Sequence, residues 1–128
     1  MAKFTLDTFN FRAIPTFGIQ DYQIAIDFYV DYLGFKIDWE HRFGPTEPIY
    51  MQISKNGLIL HLSENKRFHS KAIVFVETTK LKEFHKELQD ENPAKQLPEI
   101  LQTNWKTLQL EITDPFGNLL RFNENISN

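Results

Sequence analysis

Apolar and polar residues alternate along much of this chain, and elsewhere they recur at helical spacing. Leu58, Leu60 and Leu62 share one parity, and Ile59, His61 and Ser63 share the other. That is the period of a strand. Ala72, Val74 and Val76 oppose Lys71, Ile73 and Phe75 in the same way. Leu108, Leu110 and Ile112 oppose Thr107, Gln109 and Glu111, while Leu120 and Phe122 oppose Leu119, Arg121 and Asn123. Further strands are expected over 11–19, 35–43, 49–54 and 96–102, with Pro15 marking an edge or bulge in the first. Ile24, Ala25, Phe28, Tyr29, Tyr32 and Leu33 fall at helical spacing between an Asp21 N-cap and a terminating Gly34. Leu81, Phe84, His85 and Leu88 do the same between a Thr79 N-cap and Asn92-Pro93. Turn residues fill 45–48 and Lys55-Asn56-Gly57.

The element order is therefore βαβββ, given twice. The two halves share that order but little sequence, so the repeat is architectural. The expected fold is α+β: one domain over residues 1–128, built from modules of about 11–64 and 70–125 behind an N-terminal arm, 1–10. Each strand has one apolar face suited to packing under a helix. The opposite faces are polar or mixed. Such a face ordinarily meets solvent. Two sheets curled around a cleft would instead bring His61, Gln109, Glu111 and Arg121 into one pocket.

Composition narrows the function. A chain of 128 residues, 41% hydrophobic with 12 Phe, can bury a substantial core and is not of disordered type. The net charge of -3, with no basic run, argues against nucleic acid as a partner. The absence of cysteine excludes disulfides, thiolate catalysis and cysteine zinc sites. No signal-type or membrane-length apolar stretch is seen, so a cytoplasmic protein without a membrane partner is expected. Nor is there a phosphate loop, a nucleophile elbow or a Ser-His-Asp arrangement at readable spacing. The arm carries Phe4, Leu6, Phe9 and Phe11, which need cover, and a partner subunit is the expected place for it.

Two motifs carry a resemblance. Asp21-Tyr-Gln-Ile-Ala-Ile-Asp-Phe-Tyr-Val-Asp-Tyr-Leu-Gly-Phe35 ends in a Tyr-x-x-x-Leu-Gly-Phe pattern, and Asp114-Pro-Phe-Gly-Asn118 precedes the last strand. Together with the element order, they resemble the vicinal oxygen chelate superfamily (glyoxalase, bleomycin resistance protein, dioxygenase). The resemblance is closest to the bleomycin resistance branch, although Asn104-Trp105-Lys106 keeps only the tryptophan of that branch's Pro-Trp-Gly. The resemblance implies four cleft positions that in the enzymes ligate a metal. Here they fall at Ile14, His61, Lys71 and Arg121. Of these, only His61 can ligate in the usual way, since Ile14 has no donor atom and the two cations repel a metal. The resemblance thus implies the metal-free, cofactor-free branch: a homodimer holding a small molecule, such as a bleomycin-type antibiotic, in clefts built from both subunits. Its expected cleft residues are Trp39, His61, Trp105, Gln109, Glu111 and Arg121. Two alternatives stay open at this point. One is a metal-dependent enzyme with a site rebuilt around His61 and His69. The other is a sensor or interaction protein on the same fold.

Overall fold

The computed structural model describes residues 9–126. The first module comprises β1 (Thr16–Gly18), α1 (Tyr22–Ile26), β2 (Lys36–Arg42), β3 (Ile49–Lys55) and β4 (Leu58–Ser63). A 3-10 turn, Lys66–Phe68, leads to the second: β5 (Ile73–Glu77), α2 (Leu81–Glu91), β6 (Leu101–Gln102), β7 (Thr107–Thr113) and β8 (Leu119–Asn125). The sheets run β1-β4-β3-β2 and β5-β8-β7-β6. In each, the outermost first strand is parallel to its neighbour and the other pairs are antiparallel.

In β3, β4, β7 and β8 the apolar parity goes to the core, whereas β2 and β6 are exposed throughout. Phe17, Met51, Ile53, Leu60 and Leu62 from the first sheet join Leu110, Ile112, Leu120 and Phe122 from the second in one cluster. Ala25, Tyr29, Leu33, Leu81 and Leu88 fill it from the helices. Each large side chain so buried stabilises the fold by ~1.5–3 kcal/mol relative to exposure. The β3–β4 hairpin turns on Asn56 (φ 50) and Gly57 (φ 90). Positive φ at both central residues is the two-residue turn that matches strand twist. It fixes Gln52 opposite His61 and Ile53 opposite Leu60.

The Asp114-to-Asn118 turn locks the modules together. The Asp114 carboxylate, 5% exposed, accepts from Tyr29 Oη (2.6 Å), the Phe116 and Asn118 amides (2.8 Å each) and Asn118 Nδ2 (2.9 Å). Asn118 also donates to the Gly18 carbonyl (3.0 Å) and accepts from the Ala72 amide (3.1 Å). One loop thereby grips the first module's helix and first strand and the start of β5. Gly18 is needed there, because a Cβ would lie 2.0 Å from the Phe68 carbonyl oxygen.

Several elements depart from the sequence pattern. Asp21 does cap α1, accepting from the Ile24 amide (2.9 Å). After Ile26, however, the helix widens into a π-helix, Asp27–Tyr32. Periodicity does not register that change, because the apolar face is kept. The expected strand over 11–19 forms only at Thr16–Gly18, and that over 96–102 only at Leu101–Gln102. Thr79 is not the N-cap of α2. That position is Lys80, at φ 55 with no side-chain cap of its own. Glu124 of β8 reaches across and accepts from the Lys80 (3.1 Å) and Leu81 (3.0 Å) amides. A cap supplied 43 residues later along the chain leaves no local signal. Among the described residues, no helix is long and apolar enough to cross a membrane.

Candidate functional site

The sheet faces turned away from the core carry two polar-aromatic clusters. On the first sheet, His61 stands half-buried in β4. Its Nδ1 is 2.8 Å from Tyr50 Oη, and its Nε2 is 2.9 Å from Gln52 Oε1. Tyr50 Oη also meets Thr16 Oγ1 (3.2 Å), and Gln52 Nε2 donates to Asp38 Oδ2 (3.0 Å). Ser54 and Lys36 complete the surroundings of Asp38. The Gln52 hydrogen bond, helped by Ser54 and Lys36, holds the Asp38 carboxyl below the usual carboxylate range. Burial pushes the His61 imidazole below the usual histidine range, favouring its neutral form.

Trp39 reaches this face because β2 shifts register between Ile37 and Trp39. An irregularity of this kind re-aims a side chain. Its indole stacks on Tyr50 (centroids 6.1 Å, 12°) and meets His61 edge-on at 5.3 Å. Phe68 approaches Tyr50 at 6.3 Å, and exposed Phe43 lies against His41 at 4.3 Å.

On the second sheet, Arg121 is the centre. Its Nη2 donates to Gln109 Oε1 (3.2 Å). Its Nε is 3.0 Å from Glu111 Oε2 but makes no hydrogen bond, so that contact is coulombic, off the N–H axis. The guanidinium sits 5.9 Å from the Phe75 ring centroid. Trp105 lies apart from this group, exposed in the turn between β6 and β7.

Five of the six expected cleft residues thus fall into two groups, Gln109–Glu111–Arg121 and His61–Trp39, and Trp105 stands outside both. Among the described residues, no hydrogen bond, ion pair or ring contact joins the groups within one chain. A groove of about 880 Å³ lies between the β3–β4 hairpin and the β5–α2 corner, and Phe75 is among its lining residues. Phe35, Lys55, Leu58, Phe84 and Phe122 line it, and none of the six does.

Register revises the neighbours of the metal-type positions. Thr16, not Ile14, pairs with His61, and Phe75, not Lys71, pairs with Arg121. Lys71 precedes β5 and lays its aliphatic stem over Gly117. Neither Thr16 nor Phe75 adds an imidazole or a carboxylate. Among the described residues, no three His, Asp or Glu side chains converge as a metal site would require. His69 Nε2 is placed between the Ile19 and Glu64 carbonyls (3.1 Å each).

Tyr50, Gln52, Asp38, Thr16 and Phe75 are the site residues that pattern reading missed. A signal existed for the first two. The Asn56-Gly57 turn sets the hairpin register, and counting back from it puts Gln52 opposite His61. Asp38 had none, because the register shift beside it breaks the parity.

Two βαβββ units of this topology, with polar-aromatic faces turned outward, define a paired-module fold. A family model for glyoxalase superfamily proteins matches residues 2–128, and the chain belongs to that superfamily. Solved structures agree. A bleomycin-binding protein complexed with bleomycin is 20% identical at a TM-score of 0.66, over 91% of this chain and 99% of that one. A transposon-encoded bleomycin resistance determinant is 20% identical at 0.67, over 92% and 100%. A glyoxalase-related enzyme from Clostridium phytofermentans is 17% identical at 0.69, over 94% and 99%. At these identities the likeness is one of fold. Comparison with curated proteins gives no match.

Proposed function

We propose that this is a metal-free, cytoplasmic small-molecule-binding protein that acts as a homodimer and sequesters a bleomycin-type antibiotic or a related ligand. The observation that carries the reading is the chemistry of the four register positions, Thr16, His61, Phe75 and Arg121. One is a permanent cation, one is a phenyl ring, and the histidine has both ring nitrogens engaged. Such a set suits stacking and hydrogen bonding rather than chelation. Bleomycin-binding neighbours of the same fold support the ligand class.

The dimer supplies the cleft. Among the described residues, no hydrogen bond, ion pair or ring contact joins the two faces within one chain, and a two-fold partner would set the His61 face of one subunit opposite the Arg121 face of the other. Trp39, Ile73, Phe75 and Leu101 are each more than 40% exposed, an apolar surface that such a partner would cover. The arm is part of the same reading. Phe9 and Phe11 are exposed and stacked on one another at 6.1 Å, while the earlier arm residues lie outside the described ones.

Bleomycin titration followed by tryptophan fluorescence and calorimetry tests the function. Saturable binding at micromolar concentration is expected, and its absence up to tens of micromolar refutes the antibiotic reading. Mass in solution tests the assembly. A dimer is expected, and deletion of residues 2–10 should weaken it; an unchanged dimer counts against arm exchange.

A further inference from the structure

We propose that Asp38 and Gln52 are positioning residues that set the direction of the hydrogen-bond chain through His61, and that this face therefore selects planar ligands bearing an N–H or O–H donor. The inference rests on the ligand-binding reading above and names the chemistry its first face would accept.

The direction follows from one charge. An ionised carboxylate only accepts hydrogen bonds, so Gln52 must turn its amide nitrogen toward Asp38 (3.0 Å). That leaves Gln52 Oε1 facing His61 Nε2 at 2.9 Å, and an amide oxygen only accepts. The Nε2 atom therefore carries the proton of the neutral ring. Nδ1 is left bare, and Tyr50 donates its single hydroxyl proton to it at 2.8 Å. Thr16 must then donate to Tyr50. Each role is assigned by the carboxylate at the far end, not by any ring orientation taken in isolation.

The consequence is a polarised surface. From His61 to Thr16, every side-chain proton is committed. Lone pairs remain on Tyr50 Oη and Gln52 Oε1. The one uncommitted side-chain proton in the chain, the second amide N–H of Gln52, belongs to the end bound to Asp38. Beside these acceptors stands Trp39, 42% exposed and nearly parallel to Tyr50. A flat ligand laid against the indole meets acceptors at its edge. A donor there gains a hydrogen bond, whereas a bare ring nitrogen or carbonyl meets lone pair against lone pair.

Two measurements test this. In 15N-resolved NMR of the imidazole above neutral pH, His61 should show a protonated Nε2 and a bare Nδ1. In Asp38→Asn, Gln52 is free to turn over and a mixture of tautomers is expected. A protonated Nδ1 in the unaltered protein, or an unchanged tautomer in Asp38→Asn, overturns the positioning role. This readout needs no ligand, so it stands or falls independently of the antibiotic titration. For the ligand preference, benzimidazole and benzothiazole are compared by quenching of tryptophan fluorescence in a Trp105→Phe background. Both are uncharged flat bicycles, but only the first has an N–H. Benzimidazole should bind about fivefold more tightly, the worth of one added hydrogen bond. Equal binding, the reverse order, or no binding of either at millimolar concentration overturns the donor preference. Benzimidazole binding without bleomycin binding would refute the antibiotic reading and leave this one standing.

Discussion

Removing the Asp114 side chain should cost more stability than any other single polar truncation in the described structure. Asp114→Ala deletes the acceptor of four hydrogen bonds at once. Tyr29 is fully buried and Asn118 is 1% exposed, so water does not readily replace the lost partner. A hydrogen bond to a charged group is worth ~1.5–3 kcal/mol, and an orphaned buried donor costs ~1–3 kcal/mol. The four bonds share one carboxylate and are not additive, so a loss of about 3–5 kcal/mol is expected. That is a large part of the ~5–15 kcal/mol typical of a domain. Tyr29→Phe removes one donor and leaves the carboxylate three others, so about 1–2 kcal/mol is expected. Urea unfolding, followed by tryptophan fluorescence and circular dichroism, measures both. With an m-value of roughly 1–3 kcal/mol/M, the Asp114→Ala midpoint should fall by more than about 1 M. The double mutant should lose less than the sum of the singles, because Tyr29 Oη has no acceptor to lose once Asp114 is gone. A loss below about 1 kcal/mol for Asp114→Ala, or strict additivity with Tyr29→Phe, refutes the claim that this loop locks the modules. Should Asp114→Ala fail to fold, Tyr29→Phe alone carries the test.

Gly18→Ala places a methyl against backbone at Phe68 and should destabilise by about 3 kcal/mol or more, read as a lowered thermal midpoint. Glu124→Ala strips two N-terminal amides of α2 of their acceptor and should cost about 0.5–2 kcal/mol in urea unfolding. Lys80→Gly relieves a left-handed backbone and should be neutral or stabilising by up to about 1 kcal/mol in the same assay. His61 makes stability depend on pH. Its native pKa is depressed below the unfolded value of about 6.5, so between the two the unfolded chain binds more protons and stability rises with pH. The contribution is complete above the unfolded value and is lost as pH falls through the native one. The stability advantage of the unaltered protein over His61→Gln should therefore shrink on acidification.

Strand identity and facing were legible wherever a strand is buried on one side only. The Leu58, Leu60, Leu62 and Leu108, Leu110, Ile112 alternations are direct records of burial, and β4 and β7 occupy the expected positions. Legibility failed where pairing, rather than burial, ends an element. Residues 96–100 are chemically strand-like, yet β6 is only Leu101–Gln102, against Gln109 and Leu108 of β7. It failed again where a partner is remote, as when Glu124 caps α2. The candidate clusters were half legible. Parity places His61 and Arg121 on the mixed faces of β4 and β8, where each joins a polar cluster. Thr16 and Phe75 were displaced by Ile14 and Lys71 because counting from a motif keeps the face but not the height along the strand. Ile14 lies two residues before Thr16 and Lys71 four before Phe75, roughly 6–7 Å and 13 Å at strand spacing, enough to change which side chain is a neighbour.

The motif that identifies the superfamily and the residues that would bind a ligand answer to different energies. The Asp114-to-Asn118 loop satisfies buried donors from both modules, so a change there is felt by the whole fold. The Arg121–Glu111 pair is partly solvated, with side chains 32% and 45% exposed, and pairs of that kind contribute about 0–1 kcal/mol. The His61 chain is likewise confined to one sheet face. Its members bond to one another and not to the core. Such faces can be rewritten from chelating to stacking chemistry at little cost to folding, whereas the loop cannot be rewritten at all cheaply. For this reason the same closing hairpin holds both a buried carboxylate on which the fold depends and, seven residues further on, a partly solvated cation on which it depends little.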